Sequence, residues 1–86
     1  MAERDIVRVD WIDTSGQARW HDRAATKKSL RPCQCRTFGE VLEDALDYIM
    51  VAGSVDDTND NVHDVECIPR AAVQIVTVLK KARKQL

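Results

Sequence analysis

The run Ile6-Val7-Arg8-Val9-Asp10-Trp11-Ile12 alternates apolar and polar side chains through its centre. Successive side chains on a strand point to opposite faces, so Val7, Val9 and Trp11 share one face and Arg8 and Asp10 the other. This is the pattern of a half-buried strand, and it commits the chain to a sheet covered on one side. Thr14-Ser15-Gly16 is a turn signal, and Gln17-Ala18-Arg19-Trp20 is expected to begin a second, short strand. Asp22 to Ser29 is polar and basic, a short helix capped by Asp22 or a loop.

Two readings compete for the middle of the chain. Thr37-Phe38-Gly39-Glu40 matches a capping box, and Phe38, Val41, Leu42, Ala45, Leu46, Ile49 and Met50 follow helical spacing, which predicts an amphipathic helix over 38–50. The rival is a hairpin with strands at Cys33–Leu42 and Tyr48–Ser54 and a turn at Glu43–Asp47. Gly39, which weakens a helix by roughly 1 kcal/mol relative to Ala, speaks for the hairpin. Asp56 to Asn61 reads as an exposed loop and Val62–Ile68 as a strand. Pro69 then opens an expected C-terminal helix over 69–84. Its stripe is Ala72, Val73, Val76, Leu79 and Ala82, with Lys80, Lys81, Arg83 and Lys84 at the end where the helix dipole favours cations.

The 86 residues allow one domain, 1–86, and a domain this small buries only about 60% of its unfolded surface. A net charge of −1 creates no global pull toward nucleic acid or membrane. The charge is nevertheless segregated. Arg19–Arg36 holds six Lys/Arg and one acid, Ser54–Glu66 five acids and no Lys/Arg, and Pro69–Leu86 five Lys/Arg and no acid. The N-terminal residues lack the apolar core of a signal peptide, and no apolar stretch approaches the ~20 residues of a membrane span. With three cysteines, an odd number, the expectation is a cytoplasmic protein with reduced thiols and no membrane partner.

The order Val9-Asp10-Trp11-Ile12-Asp13, Arg19-Trp20, Cys35-Arg36-Thr37-Phe38-Gly39, Asp47-Tyr48-Ile49-Met50-Val51-Ala52 and Ile68-Pro69-Arg70-Ala71-Ala72-Val73 resembles a family of small, functionally uncharacterised phage and prophage proteins. The resemblance covers most of the chain up to Leu79. It implies a phage source and a fold rather than an activity, and it favours the hairpin at 43–47. Ala45-Leu46 departs from the polar turn expected there and keeps the helix at 38–50 open. The implied architecture is mostly β with a C-terminal helix: a small, bent antiparallel sheet or partly closed barrel, SH3-like or Sm-like.

Cys33, Cys35, His63 and Cys67 are the only constellation of metal-ligand types. Cys-x-Cys places both sulfurs on one face of a strand, and His63 and Cys67 are likewise on one face of theirs. Neighbouring strands would let the four converge on zinc, although the spacing is not a standard zinc signature and buried cysteines also serve as small hydrophobes. Zinc is the one cofactor these residues allow; otherwise none is expected. A cysteine nucleophile with His63 or His21 lacks any accompanying oxyanion signature. Asp57, Asn59 and Asn61 imitate a calcium loop, but Val62 stands where Gly is required and Ile68 where Glu is required. Arg19, Arg23, Lys27, Lys28, Arg31 and Arg36 could line one nucleic-acid-binding face with Trp20 free to stack, unless the acids Glu40, Glu43, Asp44 and Asp47 neutralise them. Trp11 and Trp20 are expected in the core. Ile75 and Val78 lie off the stripe of the expected C-terminal helix, which with the small core suggests homo-oligomerisation.

Neither a Gly-rich phosphate loop, paired carboxylates with a His, nor a Ser/His/Asp order is present, so the chain is not expected to be an enzyme. The expected role is a non-catalytic binding module acting on a host protein, nucleic acid or small ligand. The alternative is a homo-oligomeric structural or virion-associated protein. The discriminating feature is whether Arg19–Arg36 forms a continuous patch or is covered by the acidic turn.

Overall fold

In the computed structural model, which describes residues 1–83, the alternating N-terminal run is strand β1 (Ile6–Asp13). It pairs antiparallel with β2 (Cys33–Asp44), in register from Ile6 opposite Glu40 to Asp13 opposite Cys33. Strand β2 turns into β3 (Tyr48–Asp56), and β3 into β4 (Asn61–Pro69). A single 3-10 turn at Arg70–Ala72 leads to β5 (Val73–Lys80), which crosses back to pair with the other side of β1. The result is one five-stranded antiparallel sheet in the order β4-β3-β2-β1-β5. The outer strands β4 and β5 do not pair with each other, so the sheet is not closed into a barrel. The one α-helix among the described residues is α1 (Arg23–Ser29), between β1 and β2.

The mostly β expectation therefore holds in its coarse form, and three local readings are corrected. The expected helix over 69–84 is a 3-10 turn followed by β5, with residue 84 outside the described residues. Five of the seven residues Val73–Leu79 are β-branched, a composition that packs well on a pleated surface and poorly in a helix. Strand β1 also has a second edge to satisfy, and β5 supplies its ladder. The alternative helix at 38–50 is instead the β2–β3 hairpin. Its apolar positions mimic helical spacing because exposed Phe38 and the turn-tip Leu46 interleave with buried Val41 and Ile49, and a bulge between Val41 and Glu43 interrupts the two-residue period. The short strand expected from Gln17 to Trp20 is irregular backbone.

The core comprises Val7 and Val9 of β1, Val41 of β2, Ile49 and Val51 of β3, and Ile68 of β4, all buried. Trp11, Ala72, Val73 and Val76 pack around it. Trp11 donates its indole N–H to the Thr37 hydroxyl at 3.0 Å, which satisfies the ring's polar atom at the core margin. Gly39 sits where β2 passes closest to β3. A Cβ there would lie 2.8 Å from the Ala52 carbonyl carbon and from Val51 Cγ1, so only glycine permits this approach.

Arg70 locks the acidic β2–β3 turn. Its guanidinium pairs with Asp44, its Nε donates to the Ala45 carbonyl at 3.2 Å, and its backbone N–H donates to the Asp47 carbonyl at 2.9 Å. That clamp holds Leu46 at the tip, fully in solvent. At the other end of the core, the buried Asp5 accepts backbone N–H donors from Ala82 (2.8 Å) and Ala2 (3.0 Å), and these bonds draw its carboxyl below the usual range.

Candidate nucleic-acid interface

The segment 14–32 leaves the sheet between β1 and β2 and forms an arm. Asp22 caps α1 by accepting the Ala25 N–H at 2.9 Å, as its position before a short polar run requires. Thr26 and Ser29 hydroxyls bond back to the Asp22 and Ala25 carbonyls within the helix. At its C-terminal end Arg31 donates to the Lys27 and Leu30 carbonyls at 3.1 and 2.7 Å, where a cation complements the helix dipole. The base of the arm is closed by the Ser15 hydroxyl, which donates to the Arg31 carbonyl. No residue of α1 is buried, so the arm contributes cations and hydrogen bonds but no core.

The arm is cationic and unneutralised. Arg19, Arg23, Lys27, Lys28 and Arg31 all belong to it, against the single acid Asp22. Among the described residues none of the five forms an ion pair. Of the acids that could have covered them, Asp44 is engaged elsewhere: it is held by Arg70 and, at 3.7 Å, by the N-terminal amine. Trp20 stands fully exposed on the same arm, which corrects its expected place in the core beside Trp11.

Arg36 is separate from the arm. It lies on the outward face of β2 and shares Asp10 with Arg8, at 3.2 and 3.1 Å. Both guanidinium groups bind the one carboxylate, and Glu40 lies further along the same face of β2. The register places Phe38 opposite Arg8, and its ring is exposed. Phe38 and Arg8 were not among the sequence candidates. Their signal was the two-residue alternation, legible once 33–44 is a strand: Gln34, Arg36 and Phe38 point out while Cys35, Thr37 and Gly39 point in. The arm and this face together offer two exposed aromatic rings among unpaired or partly paired cations.

The other candidates do not assemble. Cys33 and Cys35 sit on β2 opposite Asp13 and Trp11, whereas His63 and Cys67 sit on β4 opposite Ser54 and Met50, with β3 between. Among the described residues no group of metal-ligating side chains converges. Burial, reinforced by the charge of Asp13, pushes the Cys35 thiol up, which disfavours the thiolate that a nucleophile or a zinc ligand must be. His63 contacts Asp64 at 3.2 Å, not a cysteine. In the acidic loop, the Asp56 carboxylate accepts from Thr58 N–H (3.0 Å) and from Asn59 Nδ2 (2.9 Å), which lowers its pKa and uses it as a turn-former. An open groove of about 700 Å³ is lined by Arg4, Lys80, Lys81 and Arg83 together with Glu3, Glu40 and Asp57.

Among the described residues no helix is long and apolar enough to cross a membrane. Compared with known proteins, the chain matches no family model, no curated sequence and no solved structure.

Proposed function

We propose that this chain is a non-catalytic binding module for single-stranded nucleic acid, an accessory protein of the kind a phage or prophage encodes, on a bent sheet of the SH3-like type. The observation that carries this reading is the arm: five Lys/Arg without an ion pair beside the fully exposed Trp20. Clustered cations gain affinity by releasing counterions from phosphates, and an exposed ring gains it by stacking on a base. Single strands fit better than duplex because Trp20 and Phe38 need unstacked bases to reach. The near-zero net charge means that binding is local to the arm and its adjoining face, not a property of the whole surface.

Fluorescence anisotropy with a labelled oligonucleotide, repeated across a salt series, tests this. Five phosphate contacts predict a slope of log K against log salt near −3.5 for a single strand, at about −0.7 per contact. Lys27→Ala/Lys28→Ala should flatten the slope by about 1.4, and Trp20→Ala should weaken binding by about 1–3 kcal/mol while leaving the slope unchanged. Binding that ignores both variants, or no binding at low salt, rejects the reading.

A further inference from the structure

The sheet ends in two unsatisfied edges. Among the described residues strand β4 pairs only with β3 and strand β5 only with β1, so each has a second edge of N–H and C=O groups that no described strand pairs. Free edges of this length are usually blunted by charge, proline or a covering loop, because they template pairing with another chain. Here the edge strands carry charge, and β4 a proline, but each also exposes apolar side chains, Val62 and Val65 on β4 and Ile75, Val78 and Leu79 on β5.

The two edges carry opposite charge. Strand β4 and the residue just before it hold Asp60, Asp64 and Glu66 with no Lys or Arg. Strand β5 and the residues that follow it hold Lys80, Lys81 and Arg83 with no acid. The charges are also polarised along the strands. The acids lie toward the start of β4, whereas Pro69, which has no N–H to give, closes its far end; the cations lie at the end of β5. Antiparallel alignment brings the acidic end of one strand against the basic end of the other. Parallel alignment would set the cations of β5 against Pro69.

We infer that the chain assembles with copies of itself, β5 of one molecule adding antiparallel to β4 of the next. The contact is heterologous: each molecule offers one edge and accepts the other, so the product is a closed ring or an open filament and not a two-fold dimer. Backbone bonds supply the pairing, Val62, Val65, Ile75, Val78 and Leu79 lose water in it, and the charges set partner and direction. Within one molecule Asp57 lines the same open groove as Lys80 and Lys81, but Asp57 lies in the β3–β4 turn and not on β4 itself.

The test is native mass spectrometry with sedimentation velocity on the full chain and two variants. Lys80→Glu/Lys81→Glu makes both edges acidic. Asp60→Asn/Asp64→Asn/Glu66→Lys makes the β4 edge basic, and Asn keeps the left-handed backbone that Asp60 and Asp64 hold at φ 55°. Wild type should form species larger than a dimer, and each variant alone should dissociate at least about tenfold more readily. An equimolar mixture of the two variants should restore assembly, because each then supplies the edge its partner lacks. Circular dichroism melts of the separate variants confirm that both remain folded. A monomeric wild type, a dimer only, an unaffected variant or a mixture that fails to reassemble overturns the inference. Since nucleic acid is left out of the experiment, its result is independent of the function proposed above.

Discussion

At the residue scale, the tightest constraint is Gly39. Any side chain there meets the backbone carbonyl carbon of Ala52 and the Val51 methyl at 2.8 Å, and neither is the yielding end of a long chain. Gly39→Ala is expected to lower stability by about 3 kcal/mol, read as a drop in the thermal midpoint by circular dichroism, since overpacking against backbone must move the strands apart. A variant as stable as wild type would show that β2 and β3 do not approach so closely. The sequence offered Gly39 as evidence against a helix, and that was the correct inference from the right residue. It did not offer Arg70 as a clamp, because the partners of Arg70 lie some 25 residues upstream and only the hairpin brings them together. Trp20 was misread for a related reason. Composition predicts burial for a tryptophan, but no core is within reach of the arm.

At the scale of elements, the arm and β5 behave in opposite ways. Helix α1 has seven residues and buries none of them, and isolated helices of that length are marginal in water. Brief trypsin treatment is therefore expected to cut first after Arg19, Arg23, Lys27 or Lys28, leaving the strands intact, as mass spectrometry of the fragments would report. First cuts at Arg36 or Arg70 would mean that the sheet opens before the arm does. Asp22 announced α1 in the sequence because a cap is a local signal. Strand β5 was illegible for the opposite reason. Its Pro69 start, apolar stripe and basic end all satisfied helix rules, and they masked the β-branched run and the need of β1 for a second ladder partner that together decide for a strand. The middle hairpin was decided by resemblance, not by pattern, since its bulge disguised the strand period.

At the scale of the whole molecule, the small core is spread thinly. The accessible surface is 6977 Å², where a compact monomer of this mass would expose about 5,100 Å². The radius of gyration is 16.7 Å, against about 12 Å for a compact chain of 86 residues. Asp5 ties the segments at the two ends of the described chain through Ala2 and Ala82, and its lowered pKa carries a sign for stability. A carboxylate whose folded pKa lies below its unfolded value of 3.8 contributes stability that is present above that pH and lost as pH falls through the folded pKa. Acid titration of the melting temperature should show this loss, and Asp5→Asn should be less stable at neutral pH and flatter below pH 4. A variant that matches wild type across the range would remove Asp5 from this role. The class of the fold was legible from one alternating strand and from turn chemistry. The charge asymmetry of the site was legible from composition, but its exposure was not, because exposure depends on where Asp44 and Asp10 spend their charge.

The arm that buries nothing has a further consequence. Because its side chains support no packing, substitutions in segment 14–32 are filtered by what the arm touches and hardly at all by whether the chain folds. Such a chain can exchange one target for another in a few substitutions without first losing its shape, and an engineer could graft a foreign recognition loop between Asp13 and Cys33 on the same terms.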